Sequence, residues 1–159
     1  MPRRRCTVVI GPPGAGKTTW VMSAAQPGDL VVDLDRLVVA MSTDESGWQM
    51  PSELVAKAAL NARQSAVKVA LANTGPRDAY VIHACPTVQQ LRSYAGLTVV
   101  VMDPGRKIVS ERLRSRPESR IHMSTWYDVC LPAYFTSGLL NKEQHEAGSQ
   151  RCAEEQQSQ

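Results

Sequence analysis

The chain has 159 residues, of which 43% are apolar and 21% are charged, and its formal net charge is +3. This length suits one domain with a single hydrophobic core, and the composition is typical of a soluble globular protein. No apolar run approaches the length that spans a bilayer, so we expect no membrane partner. The net charge is too small to diagnose nucleic-acid binding.

The four cysteines are scattered, without a C-x-x-C pair or a histidine at ligand spacing; they are Cys6, Cys85, Cys130 and Cys152. This pattern predicts neither a zinc site nor a disulfide framework, and it fits a reducing cytoplasm. The apolar run behind the basic N-terminus, Val8 to Ile10, is too short for an export signal. We therefore expect a cytoplasmic protein.

The first motif stands between an apolar run, Thr7 to Ile10, and a helix-compatible run that begins at Thr19. The phosphate-loop pattern G-x-x-x-x-G-K-[S/T] is matched by Gly11, Pro12, Pro13, Gly14, Ala15, Gly16, Lys17 and Thr18. The glycines let successive N–H groups wrap a di- or triphosphate, and the helix adds its positive N-terminal end. The strand before the loop and the helix after it favour a nucleotide site over a chance glycine-rich turn.

Two side chains of the loop carry chemistry. Lys17 is a candidate catalytic residue because it supplies a positive charge to the β and γ phosphates. The hydroxyl of Thr18 is placed to ligate Mg²⁺, and Thr19 completes the nucleotide-binding set. The predicted cofactors are ATP and Mg²⁺.

The second strand, Leu30 to Leu34, contains Asp33 and is followed by Asp35 and Arg36. Ligands of open α/β sheets bind at the carboxyl ends of strands, which places these residues beside the nucleotide. Asp35 is the candidate that deprotonates a hydroxyl nucleophile, and Asp33 is a candidate for binding a metal-bound water or that hydroxyl. Arg36 is a candidate substrate contact. The alternative is that the acidic pair only caps the next helix.

The segment from Met41 to Met50 lacks periodicity and is predicted to form a loop over the site, where Trp48 stacks a base or fills the edge of the core. Ser52 is a suitable N-cap for the long helix that follows. Arg63 lies at the edge of that helix's apolar face. It either reaches the site as a substrate-binding residue or extends over the surface.

A third strand, Ala79 to Ala84, and a fourth, Thr98 to Met102, alternate with helical segments. This alternation predicts an α/β fold with a mainly parallel, four-stranded sheet and helices on both faces. His83 lies near the end of the third strand, where it contacts substrate or is a satisfied, partly buried histidine.

The basic segment from Arg106 to Arg116 is predicted to be a lid helix. Its helical phase puts Arg112 and Arg116 on the same face as the apolar Val109 and Leu113, so both arginines point towards phosphate as candidate catalytic residues. The alternative is an ordinary ion-paired helix that uses Glu111 and Glu118. A closing helix is expected from Met123 to Leu131.

From residue 141 onward the sequence is almost wholly polar. Such a segment has little apolar surface to bury, so residues 141–159 are predicted to be a disordered tail or a solvated helix. The predicted phosphate-loop domain is accordingly residues 1–140.

The run G-P-P-G-A-G-K-T-T-W resembles the phosphate loop of phage polynucleotide 5′-kinases, including the tryptophan after the hydroxyl pair. Asp35 stands where those enzymes carry their catalytic aspartate, and the spacing of Arg112 and Arg116 is similar to that of their lid arginines. The resemblance extends to phage kinases of hydroxymethylated DNA bases. Two positions depart from it: His83-Ala84 replaces an acceptor-binding Asp, and Val38 replaces a substrate-binding Arg.

The resemblance implies the P-loop NTPase fold and transfer of the γ-phosphoryl group of ATP to a hydroxyl of a nucleic acid or nucleotide, in the host cytoplasm if the protein is phage-encoded. A nucleotide-switched ATPase that acts on a protein or DNA partner is the alternative, and a small-metabolite kinase is a further one. An ATPase usually carries an acidic pair at the end of a strand beside the first, and Val81 to Ala84 contains none. The sequence therefore favours a kinase.

Overall fold

Strands and helices alternate along the chain as the sequence predicts. The computed structural model describes residues 5–43, 51–116 and 119–157, with side chains as far as residue 154. The strands are β1 (Cys6–Ile10), β2 (Leu30–Val32), β3 (Ala79–His83) and β4 (Thr98–Val101). The helices are α1 (Lys17–Ala24), α2 (Leu34–Met41), α3 (Glu53–Leu71), α4 (Val88–Ser93), α5 (Arg106–Arg112), α6 (Ser119–Ser124), a π-helical turn (Thr125–Cys130), α7 (Leu131–Thr136) and α8 (Lys142–Gln157).

The four strands form one parallel sheet in the order β2-β3-β1-β4. Successive side chains of a strand point to opposite faces, and both faces are buried. One face is covered by residues of several helices, among them Ala70, Leu91, Leu131 and Tyr134. The other face is covered by Val21 of α1 and Cys152 of α8. The predicted α/β P-loop fold, with a mainly parallel four-stranded sheet and helices on both faces, is confirmed.

The carboxyl ends of the strands meet at one edge of the sheet, where the phosphate loop begins. The N–H of Gly11 donates to the carbonyl of Ala84 at 3.2 Å, which joins the start of the loop to the residue after β3. A β-carbon on Gly11 would lie 2.0 Å from the carbonyl oxygen of Met102, and its φ is 151°. Only glycine fits between the two backbones, so the close approach fixes the position of the loop.

Local capping signals are confirmed where they concern neighbouring residues. The side chain of Ser52 accepts a hydrogen bond from the N–H of Val55 at the start of α3. Asp33 caps α2 by accepting from the N–H of Asp35. Such caps depend on a few consecutive residues and are readable from the sequence.

The lid and the closing helix differ from the prediction. Helix α5 ends at Arg112, so Arg116 lies beyond it, and the expected helix from Met123 to Leu131 is divided between α6, the π-helical turn and the start of α7. In the π-helical turn the N–H of Leu131 donates to the carbonyl of Trp126, five residues back. Pro132 has no N–H to donate to the preceding turn, which interrupts the α-helical hydrogen bonding there.

The described part of the C-terminal segment is a helix, one of the two predicted alternatives, and most of its side chains are exposed, but one face of it packs on the sheet. Helix α8 contacts β4, and Cys152 is only 3% exposed. A β-carbon on Gly148 would lie 2.3 Å from the carbonyl oxygen of Val101. The helix packs through small residues, which composition does not distinguish from a solvated surface.

The expectation that no disulfide forms is wrong. Cys85 and Cys130 are joined, whereas Cys6 and Cys152 are buried and take no part in a disulfide. The pair is separated by 45 residues and is brought together only when the loop after β3 packs against the π-helical turn. Among the described helices, none is both long enough and apolar enough to cross a membrane.

Candidate nucleotide and acceptor site

The phosphate loop has the backbone conformation that its glycines predict. Gly14 and Gly16 have φ values of 75° and 92°, in the region that side chains disfavour. Gly16 is also the N-cap of α1, whose first residue is Lys17. The loop therefore ends at a helix N-terminus, the arrangement that binds phosphate.

Lys17 is 8% exposed and lies within the loop. Its Nζ donates to the carbonyl oxygens of Gly11 at 2.8 Å and Pro12 at 2.6 Å. Burial lowers the pKa of Lys17 to about 8, although the charges of Asp35 and Asp33 oppose the shift. An ammonium group held at the phosphate loop is positioned to exchange loop carbonyls for phosphate oxygens.

Thr18 and Asp33 form a second contact of the site. The Thr18 hydroxyl donates to Oδ2 of Asp33 at 2.8 Å, and Asp33 is 4% exposed. Hydroxyl and carboxylate oxygens are ligands that suit Mg²⁺, which keeps several waters and binds through few protein groups. The described residues contain no cluster of three His, Cys, Asp or Glu side chains that could hold a metal. Thr18 and Asp33 therefore fit Mg²⁺ only together with water and nucleotide phosphate.

Asp35 lies in the first turn of α2 and is exposed as a whole, although its carboxyl group is partly desolvated. This loss of water raises the pKa of Asp35, and the negative charge of Asp33 raises it further. Lys17, Arg116 and His122 oppose the rise through their positive charges. The carboxylate is thus within electrostatic range of Lys17 in the phosphate loop and of Arg116 in the lid, and its raised pKa suits a general base.

The lid reaches the loop through Arg112, whose Nη1 donates to the carbonyl oxygen of Gly14 at 2.7 Å. Val109 and Leu113 are buried, as the predicted helical phase requires. Arg116 is exposed and close enough to Asp35 to affect its pKa. The structure therefore brings both lid arginines to the site, and Glu118 of the ion-pair alternative lies outside the described residues.

Arg63 turns inward at the end of β3. Its Nη2 donates to the carbonyl oxygen of Ile82 at 3.1 Å, and burial lowers its pKa. Nδ1 of the neighbouring His83 forms a 2.9 Å hydrogen bond with the hydroxyl of Tyr94. Burial, and after it the charge of Arg63, lowers the pKa of His83 to about 4. His83 is thus a partly buried, neutral histidine, and Arg63 does not extend over the surface.

Arg36 is not brought to the phosphate loop. Its Nη1 contacts the sulfur of Met22 at 3.4 Å, on the second turn of α1. Arg36 also lines a shallow surface cavity of about 470 Å³ near Asp29. Each helical residue is rotated by about 100° from the one before it, so Arg36 cannot point where Asp35 points. The described contacts of Arg36 thus lie away from the phosphate loop, its role as a substrate contact stays a prediction, and Trp48 lies outside the described residues.

Asp103, which follows β4 and is 0% exposed, belongs to no motif of the sequence and was not predicted to be functional. Burial by itself would raise the pKa of Asp103, but hydrogen bonds from Tyr127, His145, Trp126 and the N–H of Gly105 outweigh it and lower the pKa. Asp103 follows a parallel strand, as Asp33 does, and this position in the sequence could have identified it as a site residue. His122, near Asp35, carried no such signal.

The comparison with known families agrees with this geometry. Residues 7–127 match the AAA domain family AAA_33, whereas no curated protein matches the chain. The matched span begins in β1, contains the phosphate loop, Asp35 and both lid arginines, and ends before α8. Because the match covers most of the sequence, the chain belongs to the AAA_33 family, a family of P-loop nucleotide-binding domains.

Proposed function

We propose that this protein is an ATP-dependent kinase that transfers the γ-phosphoryl group to a hydroxyl of a nucleic acid or nucleotide. The observation that carries the proposal is the placement of Asp35 in the first turn of α2, next to the capping Asp33 and close enough to Lys17 and Arg116 for their charges to act on its carboxylate. A base facing the phosphate loop is what a hydroxyl acceptor requires. The family includes many P-loop kinases, which supports this reaction class.

In the proposed reaction, the loop backbone and Lys17 hold the phosphates of ATP. Asp35 accepts the proton of the acceptor hydroxyl. At the same time the hydroxyl oxygen forms a bond to the γ phosphorus, and the bond between the γ phosphorus and the ADP oxygen breaks. Arg112 and Arg116 stabilise the charge on the transferring group. Mg²⁺, held beside Thr18 and Asp33, would offset the charge of the phosphates.

A polyanionic acceptor, such as a 5′-hydroxyl oligonucleotide or DNA with hydroxymethylated bases, is supported by the surplus of positive charge. Arg63 lies at the end of β3 and the lid adds Arg112 and Arg116, which is more than one ATP needs. The resemblance of the loop to that of polynucleotide 5′-kinases points the same way. The inward position of Arg63 matters most, because a half-buried guanidinium beside the site is available for an anionic substrate.

The test is a transfer assay with labelled ATP against nucleosides, nucleotides, 5′-hydroxyl oligonucleotides, hydroxymethylated DNA and neutral sugars. We expect the label on a nucleic acid or nucleotide and strongly reduced transfer by the Lys17→Ala and Asp35→Asn variants. Hydrolysis without transfer to any hydroxyl would favour the ATPase alternative. Preferred transfer to a sugar would favour a small-metabolite kinase.

The salt dependence distinguishes the acceptor classes further. Each neutralised phosphate of a bound polyanion releases counterions, so the apparent affinity for the acceptor should fall by orders of magnitude between roughly 50 and 200 mM salt. The measurement uses saturating ATP, and a neutral sugar serves as the reference acceptor. A flat response for every acceptor contradicts the nucleic-acid assignment and leaves only the kinase chemistry.

A further inference from the structure

The carboxylate of Asp103 is saturated with hydrogen-bond donors. Oδ1 accepts from the hydroxyl of Tyr127 at 2.5 Å and from the N–H of Gly105 at 3.0 Å. Oδ2 accepts from Nε1 of Trp126 at 3.1 Å and from Nε2 of His145 at 2.8 Å. A buried carboxylate with four donors is held in one orientation, and it holds each donor in turn.

Three separate segments supply these donors. Gly105 immediately precedes α5, Trp126 and Tyr127 belong to the π-helical turn, and His145 belongs to α8. The segment that begins at Gly105 and ends at Tyr127, which we call the lid segment, carries both lid arginines. One carboxylate therefore binds the two ends of the lid segment.

Asp103 also lies next to the strand that leads into the phosphate loop. The N–H of the preceding residue, Met102, donates to the carbonyl oxygen of Ile10 at 2.9 Å. The anchor of the lid segment is thus fixed to the same backbone that begins the loop. A change at Asp103 alters the lid segment relative to the loop, where Arg112 contacts Gly14.

Helix α8 completes the arrangement from outside the residues that match the family. The hydroxyl of Ser149 donates to the carbonyl oxygen of Asp103 at 2.8 Å. Further along α8, Cys152 contacts the carbonyl oxygen of Ala15, and Arg151 lies over the ring of Trp20 at 5.8 Å. The helix therefore connects the anchor of the lid segment with the phosphate loop and α1.

We propose that Asp103 is a positioning residue that sets the lid segment over the phosphate loop, and that α8 takes part in this through His145. For its effect on turnover, the inference rests on the proposed kinase function. Both oxygens of Asp103 are occupied by protein donors, so it acts through Arg112, which it orients by binding both ends of the segment that carries it. The same geometry makes α8 a functional part of the nucleotide site.

The test compares Asp103→Asn and His145→Leu with two matched variants. His145→Gln keeps a donor towards Asp103, and Asp128→Asn breaks the exposed ion pair with Arg106, which also joins α5 to the π-helical turn. We expect kcat to fall at least tenfold in Asp103→Asn and His145→Leu, with the Kd for ATP changed less than threefold. His145→Gln and Asp128→Asn should stay within twofold of the unchanged protein.

A double-mutant cycle separates positioning from general loss of structure. In a protein that already carries Arg112→Ala, the Asp103→Asn change should lower kcat by less than twofold, because the residue through which it acts is absent. Fully multiplicative effects of the two changes overturn the inference. If Asp103→Asn does not fold, the same double-mutant cycle is made with His145→Leu and Arg112→Ala.

Amide hydrogen exchange provides a readout that needs no acceptor. With a non-hydrolysable ATP analogue bound, residues 106–112 should exchange at least tenfold faster in Asp103→Asn and His145→Leu, while β1 and α1 stay unchanged. Unaltered exchange in α5 overturns the inference. If no hydroxyl is phosphorylated, the kinase proposal fails on its own, and the exchange experiment still decides the role of Asp103.

Discussion

The hydroxyl of Thr18 donates a 2.8 Å hydrogen bond to the buried carboxylate of Asp33. The second oxygen of Asp33 accepts from the N–H of Asp35 at 3.1 Å. One carboxylate therefore fixes both the proposed Mg²⁺ ligand and the proposed base, although these lie on different helices. Asp33 both caps α2 and accepts from the hydroxyl of Thr18, two contacts that the sequence analysis presented as alternatives.

A titration with Mg²⁺ should distinguish the role of Asp33 from that of Asp35. Asp33→Asn keeps a good cap but removes negative charge beside Thr18, so we expect the Mg²⁺ requirement to rise about tenfold, the lower end for a changed metal partner. Asp35→Asn loses the base, so transfer should fall by about two orders of magnitude or more with nearly normal ATP binding. The measurement is kcat against Mg²⁺ concentration.

Glu53→Gln is the control for this titration, because it removes an exposed acid from the first turn of α3. It should leave both the Mg²⁺ requirement and kcat unchanged. If Asp33→Asn abolishes transfer at saturating Mg²⁺ while Asp35→Asn only shifts the metal requirement, the base is Asp33.

The affinity for ATP should depend on the protonation of Lys17. Since its pKa is lowered to about 8, the ammonium is lost above that pH, whereas bound phosphate favours the charged form. We expect the Kd for ATP to be constant well below pH 8, to begin to rise as the pH approaches 8, and to rise by up to about tenfold per pH unit above it, the limit for one linked proton. Calorimetric titration between pH 7 and 10 measures this.

Lys17→Ala should bind ATP more weakly and lose that pH dependence, and turnover should fall as well. Lys57→Ala is the matched control, since Lys57 is an exposed lysine of α3. Tight ATP binding and full transfer by Lys17→Ala would exclude the loop as the phosphate site.

The sheet and the phosphate loop were predictable because their signals are local. Val8 and Val81 belong to continuous apolar runs, and both are fully buried in adjacent parallel strands. The glycines of the loop and the cap at Ser52 likewise depend on a few neighbouring residues. Periodicity also placed Arg112 on the inner face of its helix, where it reaches Gly14.

Contacts between distant segments could not be predicted in the same way. Asp103 receives donors from residues up to 42 positions away, and nothing in the composition near His145 indicates that contact. The side chain of Arg36 follows the rotation of α2 rather than its proximity to Asp35 in sequence. These features depend on how elements pack, which a single sequence does not specify.

The disulfide between Cys85 and Cys130 predicts how many cysteines of the denatured protein react with an alkylating reagent. Purified protein held in oxidising glutathione buffer and then denatured without reductant should have two thiols that react with an alkylating reagent, those of Cys6 and Cys152. After reduction, mass spectrometry should detect four. Removing a crosslink over 45 residues should cost about 4 kcal/mol of unfolding free energy on the chain-entropy model, measurable in Cys130→Ser. Four reactive thiols before reduction would refute the pairing.

His83 should make the protein less stable in mild acid. Its pKa is lowered from 6.5 to about 4, so the unfolded chain takes up a proton that the folded protein resists. The neutral ring favours folding above pH 6.5, and this contribution, about 3 kcal/mol in full, is lost as the pH falls towards 4. Urea unfolding of His83→Gln should show a weaker pH dependence over this range than the unchanged protein or the exposed control His122→Gln. Equal dependence in all three would contradict the lowered pKa.

The packing of α8 on β4 predicts an unusual sign for one substitution. In an exposed helix interior, replacing glycine with alanine stabilises by about 1 kcal/mol. At Gly148 the new β-carbon would lie 2.3 Å from the carbonyl oxygen of Val101, and strand backbone cannot yield, so α8 must move away. We therefore expect Gly148→Ala to lower the Tm by about 3 °C or more, equivalent to about 1 kcal/mol for a domain of this size.

Two further variants test whether this loss comes from the contact with Val101. Gln150→Ala changes an exposed residue of the same helix and should leave the Tm almost unchanged. Deletion of residues 141–159 should lower it more than Gly148→Ala, because it removes the bond from His145 to Asp103 and the buried Cys152 as well. If Gly148→Ala raises the Tm and the deletion leaves it unchanged, the segment behaves as the solvated tail that its polar composition predicts, and α8 does not pack on the sheet.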